Sequence, residues 1–178
     1  RRLTLLATRD VLWQTLGYAK PPGAFDFAFN QIHAYDTPDR RIGVLTATMV
    51  REELPTARYP EPLANGQVDA YLDTKGRLHV LYTLAGQSTS GVRQTRHALL
   101  VNGQVVADVQ LPEEGYWRIT QDSTERFWAL YGKGARFAVY PALSADGLQL
   151  GRPAELNLGT EQVRYSGIAI SVPRAGVP

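Results

Sequence analysis

The feature that most constrains this chain is a repeat. Residues 68–82 lie over residues 117–131 without a gap, at an offset of 49. Each copy reads as a strand, an Asp followed by Thr or Ser, a short turn, an Arg and a second apolar strand. The turns are Asp73-Thr74-Lys75-Gly76-Arg77 and Asp122-Ser123-Thr124-Glu125-Arg126. A third copy occupies residues 32–45 around Asp36-Thr37, with one extra residue in the turn. A fourth, at residues 167–176, stops before its second strand, and residues 2–7 fit that missing strand. The Asp-to-Asp spacings of 37 and 49 residues leave room for four strands per unit, which is the spacing of β-propeller blades.

The rest of the chain agrees with an all-β fold. Alternating or β-branched and aromatic runs recur at Leu78-His79-Val80-Leu81-Tyr82, Phe127-Trp128-Ala129-Leu130-Tyr131 and Phe137-Ala138-Val139-Tyr140. Asn102-Gly103 sits between two such runs and reads as a two-residue hairpin turn, because both positions of that turn need φ > 0. Asn65-Gly66 and Asp146-Gly147 read as similar punctuation. Helical periodicity is nearly absent; its best stretch, Met49-Val50-Arg51-Glu52-Glu53-Leu54, is short and runs into Pro55. The expected architecture is therefore one β-propeller domain over residues 1–178, made of four-stranded antiparallel blades. The units fall near residues 28–66, 67–115 and 116–164, and residues 165–178 with 1–20 form a closing blade. The unit ending at Gly66 is short, so a reduced outer edge is expected there. Four blades of about 44 residues close the ring and remove its exposed edges. The other solution is a partial ring, completed by a partner chain or by the remainder of a longer polypeptide. Arg1-Arg2-Leu3 at the start, without an initiator Met, fits a processed chain or a piece of a longer one.

Composition excludes several function classes. With no Cys, disulfides, thiolate metal sites and cysteine nucleophiles are all absent. No run reaches the ~18 apolar residues of a membrane helix. A net charge of +2, with Arg clusters that do not alternate with aromatics, argues against nucleic acid. The three His have no metal-ligand spacing, so neither a metal nor another cofactor is expected. Only three of the 19 basic residues are Lys, a bias that points to a GC-rich bacterial source.

Asp36, Asp73 and Asp122 are read as structural turn residues, since a carboxylate at a strand end accepts backbone N–H bonds from the turn that follows. The repeats resemble the BNR/Asp-box blades of sialidase-like propellers, whose pattern is Ser/Thr-x-Asp-x-Gly-x-x-Trp/Phe. The nearest match is Thr120-Gln121-Asp122-Ser123-Thr124-Glu125-Arg126-Phe127, with Thr124 at the Gly position; the Asp73 copy has Tyr71 first and Lys75 for Gly. The resemblance implies a bacterial, extracytoplasmic setting. It would also imply an arginine triad, a Tyr nucleophile activated by Glu and an Asp acid/base for any sialidase, but the Arg-Ile-Pro signature is missing.

No catalytic residue is therefore assigned. Asp69 and Asp73 lie on one face but about 13 Å apart, too far for paired glycosidase carboxylates. Glu113-Glu114 reads as solvated surface acid, and His79 as a packed position between blades. The start of a blade's first strand is the better place for a ligand. Tyr116 and Arg118 flank Trp117, which is expected to pack between blades, and Asp69, Tyr71 and Tyr165 occupy related positions. Aromatic faces with charged forks beside them suit sugars or peptides. The expected function is a non-catalytic binding module for glycan or protein ligands at the ring face. The alternative is a fragment of a carbohydrate-active propeller enzyme, a sialidase-like glycosidase or polysaccharide lyase.

Overall fold

The computed structural model describes residues 3–20, 22, 26–37, 46–53, 64–85 and 93–156. They form three antiparallel sheets in succession, each built from strands that follow one another in sequence. The first contains β1 (Leu3–Leu12), β2 (Phe27–Thr37) and β3 (Thr46–Glu52), with a 3-10 turn at Trp13–Leu16 after β1. The second contains β4 (Ala64–Leu72), β5 (Leu78–Ala85), β6 (Arg93–Val101) and β7 (Gln104–Gln110). The third contains β8 (Tyr116–Gln121), β9 (Phe127–Lys133), β10 (Arg136–Pro141) and β11 (Ala154–Leu156). The all-β expectation holds. Among the described residues no helix is long and apolar enough to cross a membrane.

The sheets stack face to face, and the second is the middle layer. Its Leu78, Val80, Tyr82, Leu84, Ala98 and Leu100 pack on Ile32, Ala34 and Val50 of the first sheet. From its other face, Leu81 packs with Trp117, Ile119, Phe127, Ala129 and Tyr131 of the third. This double burial explains why β5 carries a buried apolar residue on each face, Leu81 lying opposite Leu78, Val80, Tyr82 and Leu84 and beside the buried His79. Fully burying an apolar side chain such as Val80 contributes about 1.5–3 kcal/mol, so β5 is a central source of stability. At the outer side, Asp108 of β7 accepts from the Tyr82 hydroxyl at 2.6 Å, Arg96 Nε at 2.9 Å and Arg51 Nη1 at 3.1 Å, the last crossing from the first sheet.

The Asp turns are the same structure twice. Asp73 Oδ1 accepts the N–H groups of Lys75 and Arg77 at 2.9 and 2.7 Å, and Asp122 Oδ1 those of Thr124 and Arg126 at 2.8 and 3.1 Å. The backbone bonds match as well: Asp73 N to Arg77 O and Asp122 N to Arg126 O, each 3.0 Å. The left-handed residue comes third after the Asp, Gly76 at φ 76° and Glu125 at φ 64°. Thr124 and Lys75 therefore occupy positions that do not call for glycine. Asp36 differs. It lies within β2, opposite Thr4 and Thr46, and Thr4 Oγ1 donates to its Oδ1 at 3.4 Å. The turn after it is outside the described residues.

Other expectations meet local detail. Asn102 (φ 50°) and Gly103 (φ 75°) form the hairpin between β6 and β7, and Gly147 (φ 72°) closes a turn onto the Ser144 carbonyl. Asn65-Gly66 is not a turn: both lie in β4, where a register shift between Gly66 and Asp69 marks a bulge. Residues 49–52 are strand, held against β2. β1, which the sequence places in a closing blade, pairs along its whole length with β2, from Leu3↔Thr37 to Leu12↔Phe27. Residues 165–178 lie outside the described residues, as do residues 54–63 of the unit in which a reduced outer edge is expected.

The matched turns make a paired test. No atom lies within 4 Å of where a Cβ at Gly76 would sit, so Gly76→Ala carries only the conformational cost of φ > 0, about 1 kcal/mol. Glu125→Gly relieves the same cost and is expected to raise the urea midpoint, while Gly76→Ala lowers it. A fall in both would mean that Glu125 earns its backbone conformation through contacts of its own side chain.

Candidate functional site

The second and third sheets meet along a seam between β4 and β8. Three contacts show that these first strands run side by side in the same sense. Gln121 N donates to the Tyr71 hydroxyl at 3.3 Å, and Thr74 N donates to Gln121 Oε1 at 3.0 Å, both at the Asp-turn end. Further back along the same strands, Arg118 Nη1 lies 3.1 Å from Asp69 Oδ1. Strand alternation does the sorting on β8. Trp117, Ile119 and Gln121 are buried, whereas Tyr116 is 41% exposed and the Arg118 side chain equally so.

Four of the five residues picked from the sequence are thus described, and the structure brings three of them to the seam. Asp69 and Arg118 form an ion pair at its centre. Tyr71 packs against the core of the third sheet and gives its hydroxyl oxygen to Gln121, so its ring fixes the seam. Tyr116 sits at the start of β8, one alternation away from Arg118 on the same side of the strand. Tyr165 lies outside the described residues. Trp117 packs between the sheets as expected, its ring centroid 5.0 Å from those of Tyr131 and Tyr140.

Asp69 is electrostatically unusual. Burial pushes its carboxyl pKa up, and the Arg118 guanidinium only partly offsets this. A half-buried carboxylate held above its ordinary range beside an accessible Arg is the kind of group found where ligands bind.

A second polar cluster, next to the start of β8, was not foreseen. Glu113 accepts from both Arg136 and the Tyr140 hydroxyl, Trp117 Nε1 donates to the Glu113 carbonyl at 3.0 Å, and Arg136 Nη2 reaches Glu155 at 2.8 Å. Lys133 lies 3.3 Å from Glu114. The acids read as free surface charge are therefore tied to cations from β9 and β10, contacts that span 19 to 23 residues and leave no local signature. Burial works to raise the Glu113 pKa, but the bonds from Tyr140 and Arg136 outweigh it and hold the carboxyl low. Tyr140 is pushed up to about 12, by burial first and then by Glu113.

This cluster has the wrong chemistry for a Tyr–Glu nucleophile pair. Tyr140 is 3% exposed, and its phenol is harder to ionise than a free one. Among the described residues no group of three or more His, Cys, Asp or Glu is placed to hold a metal. An open groove of about 520 Å³ lies at the opposite, Asp-turn end of the third sheet, between Thr124–Arg126 and Pro141–Ala145. Compared with family models, curated proteins and solved structures, the chain finds no match in any of the three.

The electrostatics predict an unusual mutant. Because the folded chain holds the Asp69 pKa above its ordinary value, ionised Asp69 opposes folding at neutral pH. Asp69→Asn is expected to leave the melting temperature unchanged or raise it. A clear drop in thermal scans at pH 7 would make the Asp69–Arg118 pair a structural one.

Proposed function

We propose that this chain is a non-catalytic binding module of the β-propeller type, which takes a glycan along the β4–β8 seam. Three observations support the architecture: meander sheets in sequence order, stacking face to face, and first strands side by side at the seam. The remaining blade or blades would come from residues 165–178 with further chain, from a partner chain or from a longer polypeptide. The observation that carries the function is the Asp69–Arg118 pair, partly exposed beside Tyr116, in which burial holds the Asp69 carboxyl above its ordinary pKa although Arg118 lies against it. In this reading the Tyr116 ring stacks on the apolar face of a sugar, and Arg118 and Asp69 fix hydroxyl or carboxylate groups. A protein ligand would use the same three residues. The setting that goes with this role is extracytoplasmic.

The test is a glycan array probed with the purified chain, followed by affinity measurements on the best ligand. Tyr116→Ala and Arg118→Ala are each expected to weaken binding about tenfold or more, as loss of a stacking or charge-assisted contact does, with little change in melting temperature. Unchanged affinity in both variants would remove the seam as the site. Cleavage of 4-methylumbelliferyl glycosides by the purified chain would overturn the non-catalytic reading.

A further inference from the structure

Away from the exposed seam, two imidazoles are buried where the second sheet faces the third. His79 on β5 and His97 on β6 are 0% and 1% exposed. His79 Nδ1 lies 2.9 Å from His97 Nε2, and His79 Nε2 lies 3.4 Å from Asp73 Oδ2. With Asp73 ionised, these contacts point to one placement of the protons. A carboxylate only accepts, so His79 carries its proton on Nε2. A neutral His79 then has a bare Nδ1, and the bond between the rings must be donated by His97 Nε2–H. Both rings are Nε2–H tautomers that point along one line towards Asp73.

In this arrangement a further proton is costly. Protonating His79 at Nδ1 sets two N–H groups against each other at 2.9 Å, and relieving that clash requires His97 to move its own proton from Nε2 to Nδ1 inside the buried layer. Protonating His97 at Nδ1 puts a charge into the buried layer where the Phe127 ring covers His79 at 4.7 Å. The charged groups that face the pair are Asp73 and Arg77 from the β4–β5 turn and Asp146 from the loop after β10; Tyr71 is the remaining titratable neighbour. Both acids favour a charged ring, but burial outweighs them. Asp73 already holds Arg77 Nε at 2.6 Å, and Asp146 accepts from Ser144 Oγ and Leu148 N. The same turn grips the third sheet, through Arg77 Nη2 to the Ala145 carbonyl at 3.0 Å and Thr74 N to Gln121.

We infer that Asp73, His79 and His97 form an acid-released latch, which holds the third sheet on the second at neutral pH and lets it part when a further proton arrives. Burial lowers the pKa of both rings, that of His97 to about 3 with His79 adding to the effect. An unfolded His titrates near 6.5, so the unfolded chain takes up protons that the folded chain refuses. The latch is fully present above about pH 6.5 and weakens as the pH falls from there towards 3. The unfolding constant rises by up to about tenfold per pH unit for each such His.

Long-range ¹H–¹⁵N spectra of the full chain test the proton placement directly. The expected result is two neutral Nε2–H rings for His79 and His97, unchanged between pH 7 and 5.5 while the chain stays folded. An Nδ1–H on His79, or an imidazolium at either position in the folded chain, would overturn the inference. The release is read with 5-fluorotryptophan, since Trp117 lies in the contact and Trp13 in the 3-10 turn after β1. The Trp117 resonance is expected to leave its folded position at a higher pH than that of Trp13. His97→Gln, which can still donate to His79 but cannot titrate, should move that transition to lower pH. Simultaneous loss of both resonances, or an unchanged transition in the variant, would contradict a latch.

Discussion

The Asp73 carboxylate is the interaction on which the arrangement of the second and third sheets depends. One oxygen closes the turn between β4 and β5 by taking two backbone N–H groups, and the other binds Arg77 Nε and faces His79. The side chain is shielded from solvent, and such burial favours the neutral acid. Four donors reverse that preference, because hydrogen bonds to a charged group contribute about 1.5–3 kcal/mol each, and the carboxyl sits below its ordinary pKa. Once ionised and held, Asp73 aims Arg77 and Thr74 at the neighbouring sheet. Removing it would leave a guanidinium without its buried partner, a loss in the range of about 3–5 kcal/mol.

The Asp122 turn shows what the shared chemistry requires and what is particular to Asp73. Its Oδ1 repeats the backbone bonds, and its Oδ2 accepts Trp128 Nε1 at 2.8 Å, at the position His79 takes one repeat earlier. Trp has only a donor there and does not titrate; His79 donates from Nε2 and carries a second nitrogen that can take a proton. The first arrangement ends at the turn, while the second extends from the turn to His97. Because the grip is concentrated at the Asp-turn end, the other end of the β4–β8 seam can keep Asp69, Arg118 and Tyr116 accessible without loosening the stack. The chain thereby separates the residues that hold its sheets from those available to a ligand.

What was legible in the sequence was whatever rests on short-range chemistry. The turns at Asp73 and Asp122, the Asn102-Gly103 hairpin and the inside–outside alternation of β8 follow from residues within six positions of one another, and these are found as read; Asp36 lies within β2 instead. Long-range pairing left weaker traces. β1 joins β2 through bonds spanning up to 34 residues, and the run at residues 2–7 is apolar enough to fit several partners. Asn65-Gly66 carries the letters of a turn, yet in a paired strand the same freedom of Gly is used for a bulge. The tie between Glu113 and Arg136 and the contact between His79 and His97 join residues 23 and 18 apart, so neither could be seen until β5, β6, β9 and β10 were placed. The Asp-box pattern puts Gly at the second position after the Asp, whereas the left-handed residue of these turns is the third.

Where a ligand touches the chain decides whether the β4–β8 seam is the binding site. Backbone ¹H–¹⁵N spectra recorded while the tightest glycan from the array is added would locate the contact residue by residue. Shifts centred on Asp69, Tyr116 and Arg118, with the turns at Asp73 and Asp122 unmoved, are the predicted result. Shifts centred instead on the groove between Thr124 and Ser144, or none at saturating glycan, would contradict it.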